Sequence, residues 1–427
     1  MSKSLSLKIK SILRQGFLHI FTTTVLSKVI AMLTNVIVVR TLTNEEYGNF
    51  SYAYNIVTTV IAFSSLGTTL ALLQYGLEVK DEEKRLSVEK LLIIIGFLSN
   101  VVFSIGTLLY ALFIPLSMPE GKTMLIVLSF LPLIQFIFTI ISTELRIEQK
   151  NKLYALITIV QSLAYFVGAC LGAYLFKTIG TTFGRYFGYI VPIFLGLFLI
   201  WNQLSKLKKA TVEKEYKGPI KYSFWVLLNN ASSAVFYHLD VLIIGMIIAD
   251  ATILADYKVA TQIPVALTII PVAICTFIYP KFVDHKDDFR WLRNNFFKVQ
   301  LCLGLFNALI SVICIIFAPF IIRLFYGDRY ANAVGIFRLL IVSFFISGTF
   351  RTYVGHVMSM LHEVKANFYI GLGACALNIV GDYFMIKHFG SVGAAYATIS
   401  VVVFESIALM VYFLIRLSKT KKEGLLS

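Results

Sequence analysis

Charged side chains are scarce in this chain of 427 residues. Asp, Glu, Lys and Arg make up 14% of it, where a soluble domain carries about 25%. That shortage excludes the two or three soluble domains that length alone would suggest. Cysteine is sparse as well. All five (Cys170, Cys275, Cys302, Cys314, Cys375) fall inside apolar runs, with no metal spacing and no disulfide framework. Long polar connections are missing. The longest, 74–90, 205–221 and 281–295, leave no room for a folded domain between apolar runs. There is no nucleotide-binding glycine loop, no His-Glu-x-x-His and no nucleophile elbow. Neither catalysis nor a bound cofactor is therefore expected.

What fills the chain is apolar: 58% of residues are hydrophobic. They recur in runs of about 20 residues, each long enough to cross a hydrocarbon core of roughly 30 Å as a helix. The expected spans are 17–39, 50–73, 91–114, 122–142, 153–175, 184–204, 222–248, 259–281, 296–322, 334–361, 366–387 and 391–415. A barrel would show segments of about ten residues alternating in polarity. The fold class is therefore all-α integral membrane, with about twelve transmembrane helices.

The formal charge of +15 does not point to nucleic acid, because the basic residues sit in short segments between apolar runs. Lys3, Lys8, Lys10 and Arg14 precede a stretch too long for a signal peptide and without a small-residue cleavage site. It reads as a retained first span with its basic end in the cytoplasm. On that orientation the inner connections carry roughly three times as many Lys and Arg as the outer ones. Both termini are expected in the cytoplasm.

The two halves echo each other. Phe50-Ser-Tyr-Ala53-Tyr-Asn55-Ile56 opens span 2, and Tyr257-Lys-Val-Ala260-Thr-Gln262-Ile263 opens span 8. Glu148-Gln-Lys150-Asn-Lys-Leu-Tyr154 precedes span 5, and Glu363-Val-Lys365-Ala-Asn-Phe-Tyr369 precedes span 11. Two matches in the same order and at nearly the same offset argue for a duplicated six-span unit. The expected lobes are 1–204 and 222–427, joined by a cytoplasmic linker at 205–221. Parallel repeats of this kind place a central cavity and its substrate between them near the midplane.

Ionisable groups at span depth are costly and mark functional positions by default. Lys28 lies roughly 16 Å from either end of span 1 at 1.5 Å per residue. Thr24, Lys28, Ala31 and Asn35 share one face, expected to turn inward. Arg351 is central in span 10, in line with Ser343, Ser347 and Gly355. Asp240 is deep in span 7, with Asn230, Ser233 and Tyr237 on its face and His238 on another. Glu405 is central in span 12, and Asp382 lies toward the outer end of span 11. The carboxylates can couple transport to a proton or sodium gradient, touch substrate, or pair with Lys28 or Arg351 to hold helices together. His238 reads more simply as packing. Pro264, Pro271 and Pro280 kink span 8, either statically or as a hinge. Gly168-x-x-x-Gly172 and Gly184-x-x-x-Gly188 read as close helix packing.

Four motifs give the chain a family resemblance. They are Arg40-Thr-Leu-Thr-Asn-Glu-Glu-Tyr47-Gly48, then Asp240-Val-Leu-Ile-Ile-Gly245 with Tyr257 and Ala260 beyond it. Leu324-Phe-Tyr-Gly327-Asp-Arg-Tyr330 and Gly390-Ser-Val-Gly393-Ala-Ala-Tyr-Ala-Thr398 follow. In this order the chain resembles the polysaccharide transporter family, which is similar in fold to multidrug-extrusion transporters and lipid-linked precursor flippases. Asp240 falls where that family often has aspartate, and Ala255 where it more often has glycine. The resemblance implies a non-enzymatic flippase of the bacterial inner membrane. It would move undecaprenyl-diphosphate-linked oligosaccharide by alternating access, for O-antigen (lipopolysaccharide) or capsule assembly. Its partners would be that lipid-linked oligosaccharide, membrane lipids and polysaccharide assembly proteins.

On this reading Lys28, Asn35, Arg40 and Arg351 are the expected substrate contacts, the cations facing the diphosphate. Asp240, Glu405 and Asp382 are the expected ion-coupling groups. An ion-coupled multidrug antiporter of the same fold would favour acidic cavity groups instead. A membrane-bound polymerase or glycosyltransferase would need larger outer loops, and a scaffold would not explain buried charges in duplicated halves. The charge asymmetry makes a direct prediction. In a cysteine-free background, single cysteines at 74–90 and 205–221 are shielded from an impermeant thiol reagent in intact cells. Those at 40–49 and 323–333 react. Preferential labelling of 205–221 from outside would overturn the orientation.

Overall fold

The computed structural model of the protein describes residues 18–212, 217–285, 288–361 and 363–426. The basic segment with Lys3, Lys8, Lys10 and Arg14 lies outside these, as do the side chains of Asn230, Ser233, Tyr237 and Pro280. Nearly every described residue is helical, and no strand occurs among them. Ten helical segments among the described residues are long and apolar enough to cross a membrane. One of them, Asn151–Leu199, has 49 residues. At 1.5 Å per residue it would be about 74 Å long if straight. Non-helical backbone at Phe176 (φ −130°) and Lys177 (φ +54°) divides it into two arms, the expected spans 5 and 6. With those arms counted separately and the 31-residue helix Lys217–Ile247 added, each expected span has its helix.

The chain forms two compact units that divide between Ala234 and Val235. The first holds α1 (Leu18–Thr41), α2 (Asn44–Ser64), α3 (Thr68–Glu78), α4 (Glu82–Phe113), α5 (Gly121–Leu128), α6 (Leu131–Ile147), α7 (Asn151–Leu199) and α8 (Trp201–Lys209). It also takes the first part of α9 (Lys217–Ile247). The division therefore falls inside α9 and not in the expected linker at 205–221. The start of α9 is packed too tightly on span 2 to separate from it. A Cβ on Gly67 would lie 2.2 Å from the Ser223 carbonyl oxygen, and the Tyr75 and Tyr222 rings meet edge-on at 6.0 Å.

The second unit continues with α10 (Ala251–Leu267), α11 (Ile269–Asp284), α12 (Phe289–Ile316), α13 (Ala318–Tyr326), α14 (Ala333–Ile346), α15 (Tyr353–Met360), α16 (Val364–Phe389) and α17 (Ser391–Leu426). A π-helical stretch, Ser347–Thr352, joins α14 to α15. The Phe296 ring stacks on Phe413 at 3.9 Å, and the Tyr353 hydroxyl donates to the Phe296 carbonyl at 3.0 Å. Phe296, Tyr353 and Phe413 are fully buried in the core they build.

Several expected spans are broken, and the breaks share a chemistry. Span 2 stops at Ser64 and resumes at Thr68, turning through Leu66 (φ +48°) and Gly67 (φ +73°). Span 4 steps at Ser129, between α5 and α6. Span 8 steps at Thr268, between Pro264 and Pro271, neither of which can donate to the helix ladder. At each step a hydroxyl bonds a carbonyl three residues back. Ser64 bonds Ile61 at 3.1 Å, Ser129 bonds Ile126 at 2.7 Å and Thr268 bonds Val265 at 2.7 Å. Such bonds are how a membrane helix tolerates an interruption.

The hairpin in α7 rests on missing side chains. A Cβ on Gly172 would sit 2.2 Å from the Gly180 carbonyl oxygen, and one on Gly180 would sit 2.0 Å from that of Gly172. Farther along, Gly184 presses on Ala169 and Gly188 on Tyr165. The two small-x-x-x-small motifs therefore face each other across one seam. Overpacking typically costs about 1–3 kcal/mol, and here the obstacle is backbone that cannot swing away. Gly180→Val is expected to reduce the folded protein in the membrane severalfold by detergent-extract fluorescence-detected chromatography. Gly335→Ala, with nothing within 4 Å, is expected to leave the yield unchanged.

Candidate functional site: the charges held within each unit

In the second unit, four helices bring polar groups to one point. Asp240 comes from α9, Tyr257 from α10, Asp382 from α16 and Thr398 from α17. The Tyr257 hydroxyl and the Thr398 hydroxyl both donate to Asp240 Oδ2, the latter at 2.9 Å. Asp382 has no exposed surface and lies within hydrogen-bonding reach of Asp240. Both Asp382 oxygens and Asp240 Oδ1 are buried without a protein donor. Two adjacent carboxyl groups cannot satisfy each other as bare anions, so the arrangement calls for a proton or a cation between them. Asn378, one turn before Asp382 on α16, is also buried with neither amide atom partnered. Among the described residues no group of three or more His, Cys, Asp and Glu side chains could hold a metal.

The local fold explains the convergence. Gly390 (φ +62°) turns α16 into α17. A Cβ on Gly393 would lie 2.0 Å from the Met385 carbonyl oxygen, so this glycine lets α16 and α17 close on each other, with Thr398 on Asp240. The Gly390–Thr398 motif thus works as a turn that delivers a ligand. Tyr257, from the other half of the signature, is 1% exposed.

Arg351 and Glu405, placed in separate roles by the sequence, form one ion pair. Arg351 Nη1 is 3.2 Å from Glu405 Oε2, and the two side chains are only 15% and 14% exposed. Arg351 sits in the π-helical stretch and reaches Glu405 on α17. Gly348 in the same stretch lets Asn307 and Pro271 approach. The Asn307 amide donates to the Thr349 hydroxyl at 3.2 Å.

Lys28, in the first unit, is exposed and has no ion pair among the described residues. Helix α1 carries two exposed strips about 180° apart at 100° per residue. Leu26, Val29, Leu33 and Ile37 form an apolar strip suited to lipid. Thr24 and Lys28, with half-buried Ala31 and Asn35, form the other. Between them Thr34 and Val38 are buried, and α1 packs against α7. Arg40 is exposed in the last turn of α1, where a cation complements the helix dipole. His238 is half-buried.

Three further charged groups escaped the sequence reading. Glu89 and Glu144 are fully buried in α4 and α6. Arg85 stands 3.6 Å from Glu89 and 3.6 Å from Glu148, the first residue of the repeated motif before span 5. The counterpart motif before span 11 does likewise: Glu363 accepts from Arg416 at 2.8 Å and from the Tyr412 hydroxyl at 3.0 Å. Arg185 falls at the very start of the expected span 6, where a charge is unremarkable. The structure puts it two turns inside the second arm of α7, because the helix resumes directly after Lys177. Its guanidinium sits 3.9 Å from the Tyr54 ring centroid and 4.2 Å from that of Tyr165.

These features define a multi-pass helical membrane protein with charges held inside each unit. Comparison with solved structures agrees in fold. The chain superimposes on an inward-facing multidrug resistance MATE transporter of the MOP superfamily with a TM-score of 0.76. That match has 15% identity and covers 92% of this chain and 96% of the other. Against the lipid II flippase MurJ in an inward closed conformation the TM-score is 0.71, at 15% identity over 95% and 90%. A Pyrococcus furiosus MOP transporter gives 0.65, at 14% identity over 95% and 96%. A Shigella flexneri protein provisionally named as an O-antigen transporter is 22% identical over 213 residues, half of each chain. The profile of the family described as polysaccharide biosynthesis protein matches residues 13–286, and the chain belongs to that family.

The ion pair in the second unit yields a stability test. Removing one partner of a buried pair costs about 3–5 kcal/mol, mainly through the charge left behind. Arg351→Ala is expected to lower membrane protein levels, and adding Glu405→Gln is expected to restore them. Equal losses in the single and double variants, measured by quantitative immunoblot of membranes, would show that the pair does not carry that stability.

Proposed function

We propose that this protein is a flippase of the bacterial inner membrane. It moves undecaprenyl-diphosphate-linked oligosaccharide from the cytoplasmic to the outer face for O-antigen or capsule assembly. Family membership supports the polysaccharide pathway. The observation that carries an ion-coupled transport cycle is the Asp240–Asp382 pair, with three buried oxygens that no protein donor reaches. Uptake of a proton or sodium ion satisfies them, and release on the other side links a gradient to the cycle. Glu405 is committed to Arg351, which leaves Asp240 and Asp382 as the coupling groups.

Lys28 supplies the cation for the diphosphate, with Asn35 beside it on the polar strip of α1 and Arg40 at the helix end. Arg351 reaches substrate only together with Glu405. A multidrug antiporter of the same fold is the second reading, favoured by the MATE-like architecture. An exposed lysine at mid-span opposes cationic drugs, which is the argument for an anionic substrate.

Reconstituted vesicles test the reading. Flipping of a fluorescent lipid-diphosphate glycan should rise several-fold with an imposed proton or sodium gradient. In Asp240→Asn that dependence should vanish, with the protein still correctly inserted. Lys28→Ala should abolish polysaccharide export in cells at normal protein levels. A wild-type protein that ignores the glycan and extrudes cationic dyes would replace the flippase by the antiporter.

A further inference from the structure

Arg185 is a cation inside a membrane span with no carboxylate beside it. The second arm of α7, from Lys177 to Leu199, is about 33 Å long at 1.5 Å per residue, the thickness of a hydrocarbon core. Arg185 lies eight residues, about 12 Å, along that arm. The charged and polar side chains acting on it are Tyr47, Tyr54, Tyr165 and Tyr189, all phenols. Among the described residues it enters no ion pair, and its Nε is buried with no hydrogen-bond partner.

The surroundings fix how this guanidinium can be used. The Tyr54 and Tyr165 rings both pack against it, their centroids 3.9 and 4.2 Å from the guanidinium carbon. Tyr165 is held there by the glycine seam, since a Cβ on Gly188 would meet the Tyr165 Cβ at 2.7 Å. With both rings against it, the guanidinium still has an unpartnered Nε–H on its edge. That edge is a planar fork matched to two oxygens of one oxyanion. Cation–π contacts make the arginine tolerable at this depth, yet an apolar side chain would fill the gap between the rings at no electrostatic cost. Packing alone therefore does not account for it.

We infer that Arg185, packed against Tyr54 and Tyr165, is an oxyanion-binding site of the first unit. This rests on the flippase reading, and it adds a second anchor for the substrate besides Lys28. The oxyanion is either a phosphate of the lipid diphosphate or the carboxylate of an acidic sugar in the repeat unit.

The test uses the full-length protein in nanodiscs, with undecaprenyl diphosphate binding followed by native mass spectrometry. Wild type should bind, and Arg185→Gln should bind at least about tenfold more weakly. Arg185→Lys keeps the charge and loses the fork, so it should remain weak while folding as wild type does. Competition separates the sources. Displacement by pyrophosphate assigns the site to the diphosphate. Binding of glucuronate that is lost in Arg185→Gln, with lipid-diphosphate binding intact, assigns it to an acidic sugar. If both variants bind both probes as wild type does, the site is overturned and the flippase reading stands. If wild type binds neither probe, both fall.

Discussion

Hydrocarbon offers a peptide group no hydrogen-bond partner, and every feature of this fold answers to that constraint. It makes the chain helical almost throughout, and it also decides where helices can stop. At Ser64, Ser129 and Thr268 the ladder is interrupted beside a hydroxyl that takes up a carbonyl. The π-helical stretch at Ser347–Thr352 keeps its backbone bonded while widening by a residue, and it carries Arg351. Irregularity in this protein is therefore supported locally, by small polar side chains that cost little to carry through an apolar environment.

The same scarcity of solvation governs the charges, and the two units use four solutions. Arg351 and Glu405 neutralise each other. Arg85 serves two glutamates at the edge of α4. Asp240 takes hydroxyl donors from Tyr257 and Thr398, and Asp382 lies beside it with both oxygens buried and no protein donor. Arg185 is sheltered by the faces of aromatic rings. The first two arrangements set opposite charges against each other within the chain. The last two hold charge without an opposite charge beside it.

Hydropathy showed the spans because lipid demands apolar runs, and a run of that length is visible without knowing its neighbours. The interruptions were hidden, since Ser64 or Thr268 differs little from any other hydroxyl in a helix. Arg185 drew no notice for a related reason: a charge at the end of an expected span looks like a border residue until the backbone shows the helix starting two turns earlier. Glu89 and Glu144 sit close to span borders and were lost in the same way. Asp240 and Asp382 were each recognisable by depth, but their meeting depends on how Gly390 and Gly393 fold α16 against α17. The Arg351–Glu405 pair was one of several pairings left open, and only the folded structure selects it. The family signature had a physical content as well. Thr43 caps α2 with Glu46 in a reciprocal box, Gly327 (φ +94°) ends α13, and Gly390 turns the last hairpin.

The seam within α7 has a consequence for biosynthesis. Its first contact, Gly172 with Gly180, joins positions about eight residues apart, so little chain entropy is lost in closing it. The contact is made by backbone against backbone, with no side chain to order. Spans 5 and 6 can therefore zip together as they leave the insertion machinery, before any distant helix exists to receive them. The hairpin would enter the bilayer as one pre-paired object around which later helices assemble.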